Sequence, residues 1–218
     1  MKAIIWIIFG GLCVIFSTYP VQYFLAEEPI ALLSSKSPEL LSSLRYNISF
    51  YAHITFGGIA LLIGWLQFSK KLRATYLNLH RLIGKLYVAA VLISGPFGFY
   101  IGFFATGGLS PKLGFTIGAV LWVVLTYLAY ASIRKGNIAA HKAYMIYSYA
   151  GTFGAVTLRL WLPILMAIFG SFTEAYQVVA WLSWLPNLII AWFIIRREEK
   201  DSQITGSAEM MEQPFVIS

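Results

Sequence analysis

Apolar residues are gathered into six long runs that are separated by shorter polar segments. A helix needs about 20 mainly apolar residues to cross a bilayer, and every run is close to that length or longer. Glycine and proline within the runs do not argue against helices, because membrane helices tolerate both. The runs cover approximately residues 3–24, 50–68, 82–104, 113–133, 143–169 and 175–195. This pattern predicts an all-α fold, a polytopic bundle of six transmembrane helices.

The same pattern predicts how the chain is divided. Residues 1–197 are expected to form one six-span transmembrane domain, with the second to fifth helices, about residues 50–169, as its core. Residues 198–218 are polar and poor in core-forming side chains, so we predict a disordered cytoplasmic tail. The first run is expected to remain as a helix, because Phe24 stands where a signal-peptide cleavage site needs a small residue.

The composition strengthens the membrane interpretation. Of the 218 residues, 59% are hydrophobic and only 11% are charged, against about 25% charged in ordinary soluble domains. A soluble protein of this size could not hide so much apolar surface, so a soluble globular enzyme and a disordered chain are excluded. Cys13 is the single cysteine, which excludes an intramolecular disulfide and a cysteine metal cluster.

Basic residues predict the orientation of the bundle. Twelve of the 16 Lys and Arg residues precede the first run or fall at the connections after the second, fourth and sixth runs, which share one side of a six-helix layout. The positive-inside rule then places both termini in the cytoplasm, and we expect a multi-pass protein of the cell inner (plasma) membrane. This topology and the anionic lipid headgroups explain the net charge of +7, so the charge does not indicate a nucleic-acid partner.

Polar residues inside the runs carry the functional information, because polar groups are costly in lipid. The fifth run has a stripe of mainly small or polar residues on one helix face, since their spacing alternates between four and three. The stripe consists of His141, Met145, Ser148, Thr152, Ala155 and Arg159. It is expected to face protein or a cavity, and the alternative is a packing seam between helices. The charge of Arg159 needs an anion, backbone carbonyls or water.

The three histidines fall at two depths when each helical residue advances about 1.5 Å. His53 is expected about 9 Å and Arg159 about 5 Å from the midplane on the outer side, so the two side chains can meet. They define a predicted pocket for a quinone oxygen, a lipid headgroup or a haem propionate. His80 and His141 are expected about 20 Å from the midplane on the cytoplasmic side, too far from His53 for one metal ion to bind all three.

A glycine follows two of the histidines at a distance of four residues. His53 precedes Gly57 and His80 precedes Gly84, which leaves room for a flat ligand such as a haem with axial imidazoles. One hypothesis is therefore a b-type haem whose iron is bound by His80 and His141. The other is that these two histidines reach toward the membrane surface beside the basic connections.

Blocks of sequence between residues 51 and 163 resemble, in order, a bacterial multi-span membrane family called domain of unknown function 2306. They are YAHI (51–54), GWLQF (64–68), LHRLIGKLY (79–87), ATGG (105–108), IRKG (133–136), HKAYMI (141–146), SYA (148–150) and VTLRLWLP (156–163). The resemblance implies that His53, His80, His141 and Arg159 match motif positions of the family, and it brings no established activity. A weaker likeness to cytochrome b561-type proteins rests on histidines at helix ends with glycines nearby. Those proteins hold two haems with two histidine pairs, whereas this chain has three histidines.

The sequence thus predicts an integral membrane protein with a polar ligand site inside the membrane, redox-associated through b-type haem or quinone. The alternatives are a non-enzymatic transporter or lipid- or anion-binding membrane protein, and an accessory structural subunit. The residues assigned to a cofactor are His53, Gly57, His80, Gly84, His141 and Arg159, and those assigned to a ligand pocket are Met145, Ser148 and Thr152. Enzyme activity, the identity of the ligand and the oligomeric state stay open.

Overall fold

The computed structural model describes the backbone of residues 2–212 and the side chains of residues 3–201 and 203. All regular structure in this part of the chain is helical. Its α-helices are α1 (Lys2–Thr18), α2 (Val21–Leu25), α3 (Pro38–Leu41), α4 (Leu44–Gly64), α5 (Lys70–Thr75), α6 (Leu77–Gly102), α7 (Leu109–Arg134), α8 (Ile138–Phe169), α9 (Phe172–Leu182) and α10 (Leu185–Glu212). Short 3-10 helices cover Leu33–Ser35 and Trp65–Phe68.

Six helical segments within residues 2–212 are long and apolar enough to cross a membrane. They are Ala3–Leu25, Leu44–Phe68, Leu77–Gly102, Leu109–Arg134, Ile138–Phe169 and Phe172–Asp201. The first segment joins α1 to α2, the second joins α4 to a 3-10 helix, and the last joins α9 to α10. The prediction of an all-α bundle with six spans is confirmed, and the cytoplasmic placement of both termini stays a prediction.

Several spans begin earlier than the apolar runs, and polar side chains cap two of them. The side chains of Ser43 and Asn137 accept backbone hydrogen bonds at the starts of α4 and α8, at 3.4 and 3.0 Å. Such caps pair the first free N–H groups of a helix, so a helix can begin in polar sequence. His141 therefore lies in the first turn of α8. His80 likewise lies in the first turn of α6, which begins without a side-chain cap, whereas the sequence placed both histidines ahead of their helices.

The last span is interrupted between α9 and α10. Pro186 is the second residue of α10 and cannot donate a backbone hydrogen bond, which favours a break just before it. At the break, the Ser183 carbonyl accepts a short hydrogen bond from the Thr157 hydroxyl and a second one from the Asn187 amide at 2.9 Å. The Trp184 indole donates to the Ala180 carbonyl at 2.8 Å. The break therefore presents Ser183 and Trp184 to the interior of the bundle.

The two ends of the bundle differ in their connections. At the end that we call the capped end, residues 26–43 meet residues 103–108, where the Lys36 ammonium donates to the Phe104 carbonyl at 2.6 Å and to the Thr106 hydroxyl at 2.9 Å. At the opposite end, which we call the basic end, lie the connections 69–76 and 135–137. The connection at the capped end thus folds back onto the spans and closes over them.

The last helix continues to Glu212, whereas the sequence predicted a disordered tail from residue 198. Charged side chains support this continuation: Lys142 pairs with Glu198 at 2.8 Å, and Arg196 pairs with Glu199 at 3.7 Å. The domain boundary at residue 197 stays a prediction. Residues 213–218, the end of that predicted tail, lie outside the described residues.

Candidate functional site

A cavity of about 780 Å³ lies among the spans, toward the capped end. All six spans contribute to its wall, and it extends from Lys36 in the capped-end connection to Trp122 and Thr152 near the middle of α7 and α8. Sites for small organic ligands typically measure about 300–1,000 Å³. The cavity therefore has room for one such ligand.

The wall of the cavity is mostly apolar and aromatic. Its aromatic side chains include Tyr19, Tyr23, Phe50, Phe115, Tyr176 and Trp184. Its basic side chains are Lys36, His53 and Arg159, and no Asp or Glu of the described residues lies on it. A ligand head group would therefore meet hydrogen-bond donors rather than carboxylates.

Ser94 of α6 holds the imidazole of His53 on α4. The His53 Nδ1 lies 3.1 Å from the Ser94 carbonyl oxygen, and the Ser94 hydroxyl donates to the His53 carbonyl at 2.9 Å. Because a carbonyl only accepts, Nδ1 carries the proton in this contact. Nε2 of the neutral ring is then an acceptor, and it has no hydrogen-bond partner among the described residues.

Glycines allow α4 and α6 to approach closely enough for this bond. A Cβ at residue 98 would lie 2.6 Å from the His53 Nδ1, which the ring could accommodate only by moving. A Cβ at residue 57 would lie 3.3 Å from the Ser94 hydroxyl. Gly57 and Gly98 both line the cavity, and both support the position of His53.

Arg159 reaches the cavity from α8 without a carboxylate partner among the described residues. Its Nη1 donates to the Ala155 carbonyl at 2.7 Å, and its guanidinium carbon lies 4.3 Å from the centroid of the Tyr19 ring. Its Nε is buried with no hydrogen-bond partner in the described part of the chain. A guanidinium has five N–H donors, so most of them remain for a ligand.

A network of buried hydroxyl groups lies at and below the floor of the cavity. The Trp122 indole donates to the Thr152 hydroxyl at 2.8 Å. The Tyr87 hydroxyl bonds Thr152 at 2.8 Å and Ser148 at 2.7 Å, and Ser148 bonds Thr126 at 2.6 Å. The network joins α6, α7 and α8, so these hydroxyl groups are engaged in holding the helices together.

The structure brings some of the predicted site residues to the cavity and places others elsewhere. Those that line the cavity are His53, Gly57, Thr152 and Arg159. Ser148 does not line it, because the Ser148 hydroxyl is fully buried within the network below the floor. Met145 packs against the buried core that contains Tyr87.

His80, Gly84 and His141 lie at the basic end, outside the cavity. The two imidazoles are close enough to interact electrostatically, and the His141 Nδ1 lies 2.9 Å from the Ala129 carbonyl oxygen. No group of three or more His, Cys, Asp or Glu side chains in the described part of the chain is arranged to hold a metal ion. The binding of a haem iron by His80 and His141 stays a prediction.

Lys36 is a residue of the cavity that sequence reasoning missed. It lies in a connection that the sequence marks only as polar, and its contact with Phe104 and Thr106 exists only because two connections fold together. Burial, assisted by the charge of Lys112, lowers the pKa of the Lys36 ammonium from 10.5 to about 8. The capped end of the cavity thus has a cationic side chain whose protonated form is disfavoured by burial and by the charge of Lys112.

A family model described as "Predicted membrane protein (DUF2306)" matches residues 50–195. The matched segment contains all three histidines and Arg159. No curated protein and no solved structure matches the chain.

Proposed function

The chain belongs to the DUF2306 family of predicted membrane proteins, and we propose that it binds a lipid-soluble quinone in the cavity between its spans. The observation that carries the proposal is the guanidinium of Arg159 on the wall of a largely apolar cavity. Its Nε is buried and has no partner among the described residues. An unpaired buried donor is costly, so a ligand oxygen that accepts from it would be favoured.

The head group of a quinone fits the polar pair on the wall. Arg159 can donate to a quinone carbonyl, and the His53 Nε2 can accept from the hydroxyl of a quinol. The two side chains are close enough to interact electrostatically. A donor and an acceptor together would recognise the head group in both oxidation states.

The rest of the cavity suits the apolar body of such a ligand. Aromatic rings offset from a quinone ring give favourable contacts, and Tyr19, Tyr176 and Trp184 provide such rings on different spans. Each Å² of apolar surface that leaves water contributes roughly 25 cal/mol, which applies to the ring methyl groups and the isoprenoid tail.

A lipid or another amphipathic anion is the second candidate, for a non-enzymatic binding or transport protein. Lys36 favours it, because this second cation lines the cavity at the capped end. A carboxylate or phosphate head group would meet Lys36 or Arg159, while its chain would lie against the aromatic wall.

A b-type haem is the other redox cofactor that the sequence suggests. It would lie at the basic end, away from the cavity, and its support is the proximity of His80 and His141. The bond from the His141 Nδ1 to the Ala129 carbonyl would orient Nε2 as a ligand. The unpaired Arg159 donor on the cavity wall supports a quinone more directly than the proximity of the two histidines supports a haem.

The orientation and the location belong to the same proposal. Lys70, Lys71, Arg134 and Lys135 lie at or beside the connections of the basic end, which supports a cytoplasmic placement of that end by the positive-inside rule. The chain would then be a multi-pass protein of a bacterial inner membrane with both termini in the cytoplasm.

Binding of decylubiquinone to the full chain in detergent micelles tests the proposal. Trp122 and Trp184 line the cavity, so a bound quinone should quench tryptophan fluorescence in a saturable way. Arg159→Gln should weaken the affinity at least about ten-fold, which corresponds to about 1.4 kcal/mol. Arg134→Gln is the matched control, because Arg134 is exposed at the basic end.

Oleate titrated in parallel separates the two candidates. The lipid candidate is favoured if excess oleate displaces decylubiquinone and if both Lys36→Met and Arg159→Gln weaken the affinity for oleate. The proposed quinone site is contradicted if Arg159→Gln keeps the helical circular dichroism of the wild type and also binds decylubiquinone with the same affinity.

A further inference from the structure

A second polar cluster lies at the basic end, where the 3-10 helix Trp65–Phe68 and α5 meet the start of α6. Gln67 is only 6% exposed, and its side-chain Nε2 has no hydrogen-bond partner among the described residues. The amide packs against Gly84: a Cβ at that residue would lie 3.3 Å from Oε1. A buried amide donor without a partner is costly, and a ligand acceptor would offset that cost.

Arg73 on α5 and His80 on α6 belong to the elements that meet at this amide. Arg73 donates through Nη1 to the Gln67 carbonyl at 2.9 Å. His80 lies one helical turn before Gly84, and its Nδ1 is buried with no partner in the described part of the chain. His80 also interacts electrostatically with Arg73, Arg81 and His141. Gln67 therefore contacts both Arg73 and the turn of α6 that follows His80.

The acidic groups described near this end have other partners. Glu198 pairs with Lys142 and Glu199 pairs with Arg196. No Asp or Glu of the described residues forms an ion pair with Arg73 or with Arg81. The cluster thus carries positive charge and free donors, and its ligand should be an anion with several acceptor oxygens.

We propose that Gln67, Arg73 and His80 form a phosphate site that is separate from the cavity. A phosphate oxygen can accept from the Gln67 amide and from the His80 Nδ1–H while the remaining Arg73 donors bind a second oxygen. Basic pockets at the ends of membrane helices lie at the depth of phospholipid head groups, so the phosphate can come from an anionic lipid or from free phosphate.

The test uses the full chain in detergent micelles, with dioctanoyl phosphatidylglycerol and inorganic phosphate as separate probes in isothermal titration. Wild-type protein should bind the lipid, and Arg73→Gln should raise its Kd at least about ten-fold. Gln67→Glu, which keeps the size of the side chain and repels phosphate, should do the same. The control is Lys135→Gln, because Lys135 is exposed at the same end in another connection, and its Kd should be unchanged.

The outcomes distinguish a lipid phosphate from free phosphate, and they distinguish a phosphate site from a diffuse basic surface or a haem site. Displacement of the lipid by millimolar inorganic phosphate supports a site for free phosphate as well, and lipid binding without displacement supports a lipid phosphate. Equal weakening by Lys135→Gln would show a diffuse basic surface and overturn the proposal. The proposal is also overturned if folded Arg73→Gln and Gln67→Glu proteins keep the wild-type Kd, or if the wild type does not bind. A haem Soret band that disappears in His80→Ala would overturn it as well. Circular dichroism identifies variants that fail to fold, and Arg73→Lys, which should bind with intermediate affinity, then replaces Arg73→Gln.

Discussion

The imidazole of His53 lies so close to Gly98 that a Cβ on residue 98 would stand 2.6 Å from its Nδ1. The same nitrogen bonds the Ser94 carbonyl oxygen one turn earlier on α6. The orientation of the His53 side chain in the cavity therefore depends on the absence of a side chain on the neighbouring helix.

Gly98→Ala should displace the His53 ring and break its bond to Ser94. Overpacking of this kind costs about 1–3 kcal/mol, so we expect a lower melting temperature in detergent and weaker binding of decylubiquinone. Gly11→Ala is the control, because a Cβ at residue 11 meets nothing within 4 Å. A Gly98→Ala protein with the stability and the affinity of Gly11→Ala would show that the contact does not position His53.

Tyr87→Phe should destabilise the bundle without changing the shape of the side chain. The Tyr87 hydroxyl bonds both Ser148 and Thr152 in the buried network, and its loss leaves both with fewer partners. We expect a loss of about 1–3 kcal/mol in the free energy of unfolding. The exposed Tyr127 gives the matched control: Tyr127→Phe should change this free energy little, and equal effects of the two changes would argue against the network.

Tyr19→Leu should remove a contact that holds the Arg159 side chain in position, because the guanidinium carbon lies 4.3 Å from the centroid of the Tyr19 ring. The loss of a desolvated cation–π contact is expected to cost about 0.5–2 kcal/mol of unfolding free energy. Tyr19→Phe keeps the ring and should stay near the wild type. If Phe and Leu at this position reduce stability equally, the hydroxyl rather than the ring face is what matters.

The amine of Lys36 should react with acetic anhydride with a half-maximal rate near pH 8, since burial and the charge of Lys112 lower the pKa of Lys36 to about 8. The folded state therefore disfavours the protonated amine relative to the unfolded state. Between about pH 8 and 10.5 the unfolded chain binds more protons at this site, so this group makes stability rise with pH. Mass spectrometry of the labelled peptide measures the midpoint.

Lys112→Met is the control for that assignment. Removal of the positive charge of Lys112 should raise the pKa of Lys36, and the labelling midpoint should move to higher pH. A midpoint that stays in place would leave burial as the sole cause of the lowered pKa of Lys36.

The number of spans could be predicted from the sequence because the bilayer imposes a length and an apolar composition on each helix. The starts of α4 and α8 could not, since the caps Ser43 and Asn137 stand outside the apolar runs. Hydropathy measures burial in lipid and has no term for a capping hydrogen bond.

Arg159 and His53 could be identified from the sequence because charged and imidazole groups are unusual within apolar runs. Gly98 and Lys36 could not, since their roles depend on the approach of α6 to α4 and on the folding back of the capped-end connection. Helical periodicity places Ser148 on the same face as Arg159. It does not show that the Ser148 hydroxyl forms a hydrogen bond with Tyr87 rather than with a ligand.

Photolabelling with an azido-quinone, followed by peptide mass spectrometry, locates a quinone that binds among the spans. A quinone in the cavity should label peptides of α4 and α8 that contain or adjoin His53 and Arg159, and excess decylubiquinone should remove those labels. Labels confined to the basic end, or labels on α4 and α8 that excess decylubiquinone does not reduce, would contradict a quinone site in the cavity.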